Sequence, residues 1–533
     1  MNVRTISKAL AFVAAASLAA CAAGTPNSTL VPGNAPHGNP IVGGSAILTN
    51  MVGMGDSLTA GEQSGGVFGG LPGQVPNPLA AGIPPLQSLG VPPTQQNGFW
   101  SVLYQQAKGV TWIQMSTPGT TVLPLISAPG LGDQIVPANP TLTGGIPFGT
   151  IPTRSACDGF NSSAYNLASL GQVRENPNGS ILDIAVPGIT MHEALTMTLP
   201  ISPQCAPLPG VNAQIAGLQT VVNGESGFYY PILGQFNRTV THPSMLNVAV
   251  SLRPTLTTVW LGANDVLKFI FSGGQFAVGN LTQSSAQTDM TQIITSLQNV
   301  GSRVVVADLP MILETPQFAS IAIPPAAQLT QACELQTYVF CLLVNDFGQS
   351  PAQAQATVAA VSAAYNLGTT GYLTESGLIN LLQGKNLDPS GPGTGLGSNY
   401  ITPAFATQIN SVNTAVNAGI AAAAKQTGAP LVQISQVFND IATGNTSSPS
   451  FQLAASVNPG KCCTLTFGGG LLSYDGLHPS NTGYAVIADA FISAIDTAYG
   501  ASIPPLALSD VQAIYGGTQP TTRVPYPDPY AQH

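Results

Sequence analysis

The chain is 533 residues long and acidic, with 13 Lys and Arg against 22 Asp and Glu for a formal net charge of −9. Its basic residues are not clustered, which excludes the phosphate binding on which nucleic-acid partners depend. Only 7% of residues are charged while 58 are Gly and 45 are Pro, a composition of long neutral surface loops; the five His (His37, His192, His242, His478, His533) are scattered and no CxxC or HxxxH spacing occurs, so neither a metal site nor a cofactor is expected.

At the N-terminus, Arg4 and Lys8 precede an apolar run from Ala9 to Ala20. The run is shorter than the roughly 20 apolar residues of a membrane-spanning helix and reads as an export signal. Its end, Leu18-Ala19-Ala20-Cys21, resembles the lipobox of bacterial lipoproteins, in which Cys21 becomes the lipidated N-terminus after cleavage; the plainer alternative is an ordinary small-residue cleavage site. The lipoprotein reading predicts an envelope protein held by acyl chains, with the neutral Ala22 pointing to the outer membrane, and makes the membrane a partner through that anchor. Residues 22–48 are rich in Gly, Pro, Ser and Asn without apolar periodicity and read as a flexible tether.

The folded body is expected over residues 49–498, starting near Ile47. Met51-Val52-Gly53-Met54 reads as a strand breaking into Gly55-Asp56-Ser57-Leu58, and Leu182 to Pro187 as a second strand ending at Gly188. Thr257-Thr258-Val259-Trp260-Leu261 is a third, ending at Gly262-Ala263-Asn264-Asp265. Met290, Ile293, Leu297 and Val300 recur at helical spacing before Gly301, and Arg303 to Ala307 follows as a buried strand. Thr402 and Pro403 have the chemistry of an N-cap and first helical residue, with Phe405, Ile409, Val412, Val416 and Ile420 on one face and a stop at Gly428. Leu431-Val432-Gln433-Ile434 reads as a further strand, and a last helix carries Tyr484, Ile487, Phe491 and Ile495 up to Gly500. Strands alternating with helices imply a parallel α/β sheet covered on both faces. Insertions near 62–96, 112–155, 189–245 and 311–402 are Pro/Gly-rich or partly helical, a composition of substrate-facing loops; the third and fourth are candidates for the walls of a cleft at the carboxyl edge of the sheet, the alternative being surface decoration. The tail, 499–533, has no core pattern and reads as surface-lying or disordered.

Without Cys21, six cysteines remain, Cys157, Cys205, Cys333, Cys341, Cys462 and Cys463. An even number in an exported chain predicts three disulfides among 15 possible pairings. Local pairs, Cys157 with Cys205 and Cys333 with Cys341, are favoured; Cys462 and Cys463 either bridge each other or each pair elsewhere.

Four segments carry chemistry. A serine hydroxyl needs a base to take its proton, and His478 alone has a carboxylate at useful local spacing, Asp475, in Asp475-Gly476-Leu477-His478-Pro479 ahead of the last helix. Such a carboxylate fixes the imidazole tautomer and orientation. Ser57 sits at a strand's carboxyl end and a helix N-terminus, where backbone N–H groups face a developing oxyanion. Gly188 leaves its N–H open to substrate, and the Asn264 amide is an oxyanion donor of the right type. Asp56 and Asp265 are expected to hold these loops by local hydrogen bonds. His192 and His242 lie in an insertion and read as structural.

On these four blocks, Gly55 to Leu58, Gly188, Gly262 to Asp265 and Asp475 to His478, the chain resembles the GDSL, or SGNH, hydrolase family. The resemblance implies Ser57 as nucleophile, His478 as base and then acid, Asp475 as its orienter, and an oxyanion hole of Ser57 N–H, Gly188 N–H and the Asn264 amide. It also implies a flavodoxin-like three-layer fold with a five-stranded parallel sheet in order 2-1-3-4-5. The GxSxG signature of the other common serine hydrolase fold is absent. The function expected is carboxyl-ester hydrolysis of lipid or other acyl esters at the cell surface. The alternatives are a polysaccharide acetyl-esterase, with Trp100, Trp112, Phe228, Tyr229 and Tyr230 available to stack on sugars although core packing is their plainer role, and a non-catalytic ligand-binding lipoprotein on the same scaffold. The acyl length and oligomeric state are left open.

Overall fold

The computed structural model describes residues 46–62, 67–68, 95, 98–110, 126–128, 173–174, 181–198, 232–233, 236, 239–240, 243–275, 280–326, 337–345, 348–388, 395–457, 471–472 and 476–506. The export signal, Cys21 and most of the tether lie outside these residues. Among the described residues no helix is long and apolar enough to cross a membrane.

The described strands are, in chain order, β1 (Met51–Gly55), β2 (Val67–Phe68), β3 (Ile126–Ala128), β4 (Val173–Arg174), β5 (Leu256–Trp260), β6 (Arg303–Ala307), β7 (Phe318–Ser320), β8 (Tyr372–Thr374), β9 (Tyr400–Ile401) and β10 (Leu431–Val432). The central sheet is parallel throughout in the order β1-β5-β6-β10, with Met51 opposite Leu256 and Val306 opposite Leu431. Every residue of β1 and β5 is buried, as expected where helices cover both faces of a parallel sheet. The helix Phe99–Lys108 packs with Asn481–Tyr499; Phe99 stacks on Phe491 at 4.7 Å and meets Trp260 edge-on at 5.3 Å. A second pair, Gln283–Asn299 with Pro403–Thr427, meets closely because Gly419 has no side chain: a Cβ there would lie 2.6 Å from that of Ala286.

The expected five-stranded sheet is not found among the described residues. There the central sheet has four strands, and the segment read as the second strand runs beside β1 with one isolated bridge, Gly53 to Asp183, and hydrogen bonds from Gly53 N to Leu182 O, Ile184 N to Gly53 O and Val186 N to Gly55 O. The buried Asp183 carboxylate accepts from Ala185 N at 3.2 Å, a local turn that competes with strand pairing, and Pro187 has no N–H to continue it.

Capping chemistry was legible. Thr402 caps Pro403–Thr427, with Pro at the first position and Gly428 at φ 72° closing it; Gly500 does the same for Asn481–Tyr499 at φ 62°. The strand read over 431–434 is shorter, because Ile434 already opens the helix Ile434–Ala442. Asp308 drives that turn: its carboxylate accepts from Ser435 N at 2.8 Å and Ser435 Oγ at 2.5 Å, placing negative charge at a helix N-terminus.

Two small antiparallel sheets, β2-β3-β4 and β7-β8-β9, stand apart from the central one. The second lies in the stretch read as Pro/Gly-rich insertion 311–402. With the helices Val339–Asn345 and Pro351–Tyr365 it encloses its own apolar cluster, including Val339, Leu343, Val358 and Leu373. Past the last helix, Ala501, Ile503 and Leu506 are buried in the main core.

The framework of three disulfides is corrected. Cys341, buried at 5% exposure, is the single cysteine among the described residues, so no two described cysteines stand at bonding distance. Cys341 is itself disulfide-bonded; Cys157, Cys205, Cys333, Cys462 and Cys463 lie outside the described residues.

Candidate active site

The chain leaves β1 at Gly55 and turns at Asp56, whose carboxylate accepts from Leu58 N at 3.0 Å and so caps the one-turn helix Ser57–Ala60. Gly55 must be Gly: a Cβ would fall 2.0 Å from Thr59 Oγ1 and 2.8 Å from Trp260 O. This turn presents Ser57 Oγ to His478 Nε2 at 2.8 Å, and the two residues are 9% and 7% exposed. His478 is held from both sides. Pro479 bridges Leu472 and Ser480 N donates to Leu471 O at 2.9 Å, while Gln317 N donates to Gly476 O at 3.0 Å. Gly476 sits at φ 65° with space for a Cβ closed by Gln317 N at 2.6 Å. Asp475 lies outside the described residues.

Two further loops converge here. Gly188 turns at φ 87° after the segment along β1, and Thr190 then caps Met191–Thr196 in a reciprocal capping box with Glu193. Gly262 turns at φ 120° after β5, packed against Val416, Leu309 and Met191. Asn264, 6% exposed, therefore stands in the first turn of the helix Ala263–Phe271. Its Nδ2 donates to Asp56 Oδ2 at 3.2 Å, which ties it to the loop of Ser57. Asp265 ties the other two loops together, accepting from Met191 N at 2.9 Å and Asn280 N at 2.6 Å. Asp56 and Asp265 thus hold the loops, as their sequence position suggested, but by contacts 74 to 208 residues long as well as local ones.

Burial dominates the electrostatics. It pushes both Asp56 and Asp265 up to about 7, against the backbone N–H groups that favour their charged forms. Burial would also raise Glu193, but the Lys268 ammonium 2.6 Å away and the Thr190 N–H outweigh it and leave Glu193 below its usual value. Lys268 is 1% exposed, so this is an ion pair built under the loops of Gly188 and Asn264.

The remaining candidate residues sit elsewhere. His192 Nδ1 meets Asp289 Oδ2 at 2.9 Å with half its side chain exposed, so its acid comes from 97 residues away. Trp100 is fully buried, tilted against Tyr104 at 5.2 Å, and is core packing rather than a sugar platform. Trp112, Phe228, Tyr229, Tyr230 and His242 lie outside the described residues. No group of three potential metal ligands occurs among the described residues. Sequence reasoning missed the Lys268–Glu193 pair and Glu62, whose carboxylate lies 4.0 Å from His478 Nε2. The signal for the first was a single Lys inside the apolar run Val266 to Phe271, where an unpaired charge would be costly.

Neither the curated proteins nor the solved structures contain a match to the chain. A family model described as GDSL-like lipase/acylhydrolase matches residues 51–491, from the first residue of β1 into the last helix, and this span includes Ser57, Gly188, Asn264 and His478. The chain therefore belongs to the GDSL-like lipase/acylhydrolase family of carboxyl-ester hydrolases.

Proposed function

We propose that the protein hydrolyses carboxyl esters of lipids or other acyl compounds through Ser57, His478 and Asp475, at the cell surface to which a lipidated Cys21 would hold it. The observation that carries this reading is the 2.8 Å contact of Ser57 Oγ with His478 Nε2. At that separation the imidazole can take the hydroxyl proton as the oxygen attacks the ester carbonyl. The role of orienter falls to Asp475, three residues before His478 in the chain, because such a carboxylate fixes the imidazole tautomer and stabilises the imidazolium once formed. The tetrahedral oxyanion is assigned to the N–H groups of Ser57 and Gly188 and to the Asn264 Nδ2 hydrogen not directed at Asp56. His478 then returns its proton to the departing alcohol, and a water activated by the same ring releases the acid and restores Ser57.

The short Ser57 to His478 distance and the buried support beneath the oxyanion donors favour catalysis over ligand binding alone. Treating the full chain with a serine-directed phosphonate tests this: labelling at Ser57, lost in His478→Ala, is expected, and an unlabelled Ser57 in folded protein would contradict it.

A further inference from the structure

Glu62 is fixed beside the reacting atoms from both ends. Its N–H donates to Ser57 O at 3.0 Å, after Gly61 at φ 77° ends the helix Ser57–Ala60. Its carbonyl accepts from the hydroxyl of the buried Tyr484 at 2.7 Å. With its backbone held on both sides, the side chain, 14% exposed, places Oε2 4.0 Å from His478 Nε2. That ring nitrogen is also the atom in contact with Ser57 Oγ, and in ester hydrolysis it must hand a proton to the leaving alcohol from hydrogen-bond reach, about 3 Å.

We infer that Glu62 is a specificity-determining residue, which makes the leaving-group side of the site favour esters of uncharged or cationic alcohols and disfavour anionic ones. The inference rests on the roles proposed for Ser57 and His478. A carboxylate this little exposed acts on a neighbouring charge with less screening than one in open water. The other described carboxylate facing the dyad, Asp56, is engaged by Leu58 N and Asn264 Nδ2 and is pushed up to about 7 by burial. Among the described residues, Glu62 Oε2 is the carboxylate oxygen that stands within 4.0 Å of His478 Nε2.

The test measures kcat/KM of the full chain on acetate esters of phenol, 4-hydroxybenzoate and (4-hydroxyphenyl)trimethylammonium. Wild type, Glu62→Gln and Glu62→Asp are compared at low salt and at high salt. Comparing each variant with wild type cancels the intrinsic reactivity of the leaving groups. Glu62→Gln should raise the anionic-to-cationic ratio about fivefold, Glu62→Asp should keep it near wild type, and salt should shrink the difference. A Glu62→Gln enzyme that still turns over phenyl acetate with the wild-type charge ratio would overturn the inference. Should Glu62→Gln fail to fold, the wild-type ratio itself decides: it should rise with salt, and a salt-independent ratio overturns the inference. Absence of any wild-type hydrolysis, with Ser57 unlabelled by phosphonate, would instead overturn the functional reading and take this inference with it.

Discussion

His478 Nε2 stands 2.8 Å from Ser57 Oγ across 421 residues of chain. The parallel sheet brings the two together, since Ser57 follows the carboxyl end of β1 and His478 precedes the last helix, which packs against β6 and β10. The closeness of two small polar atoms thus depends on the whole central layer. Local support decides whether that closeness is productive.

Asn264 is expected to act through the oxyanion. Asn264→Ala should lower kcat by about a hundred- to a thousandfold with KM little changed. Removing its anchor by Asp56→Ala should lower kcat as well, because the amide loses the partner 3.2 Å away that orients it. Steady-state kinetics on one nitrophenyl ester checks both, and an unchanged kcat in Asn264→Ala would remove it from the oxyanion site.

Stability should fall as pH rises from about 4 to about 7. Asp56 and Asp265 are raised to about 7 in the folded protein from 3.8, so in this window the folded state holds protons the unfolded state has lost. Their penalty is absent below the unfolded value and complete above about 7. Asp56→Asn keeps a capping side chain and should lessen the change in urea midpoint between about pH 5 and about pH 8; an identical pH dependence would show that Asp56 does not carry this effect.

The buried pair beneath the loops gives a directional result. Lys268→Met leaves Glu193 charged and unpaired with 12% of its side chain exposed, and should destabilise the fold by about 3–5 kcal/mol. Adding Glu193→Gln should recover most of that loss. Urea denaturation of wild type, both single variants and the double variant measures the coupling, and strict additivity would contradict a direct pair.

Gly476→Ala should act on the catalytic loop. Its φ of 65°, and the Gln317 N atom 2.6 Å from where the alanine Cβ would stand, leave the loop only the option of moving. A displacement of about 1 Å at a reacting group can cost about a hundredfold in rate. Loss of kcat with the melting temperature nearly retained is expected; full activity would show that the loop tolerates the shift.

Much of this was legible in the sequence where chemistry is local. The Thr402-Pro403 start and the Gly428 and Gly500 stops are carried by capping and φ preferences within one or two residues. The β7-β8-β9 sheet was not, because its strands are two or three residues long and too short to show alternation. The contacts of Asp265 with Met191 and Asn280, and of Lys268 with Glu193, join segments whose spacing carries no periodic signal. Glu62 is close to Ser57 in the chain, yet its approach to His478 depends on the Gly61 turn and the Tyr484 hydroxyl.

The most direct measurement is hydrolysis of nitrophenyl esters from acetyl to palmitoyl by the full chain beside Ser57→Ala and His478→Ala. Turnover by wild type, nearly abolished in both variants, is the predicted result, and the chain-length optimum would separate an acetyl-esterase from a lipid esterase. Wild-type turnover that persists in Ser57→Ala would contradict the central claim that Ser57 is the nucleophile.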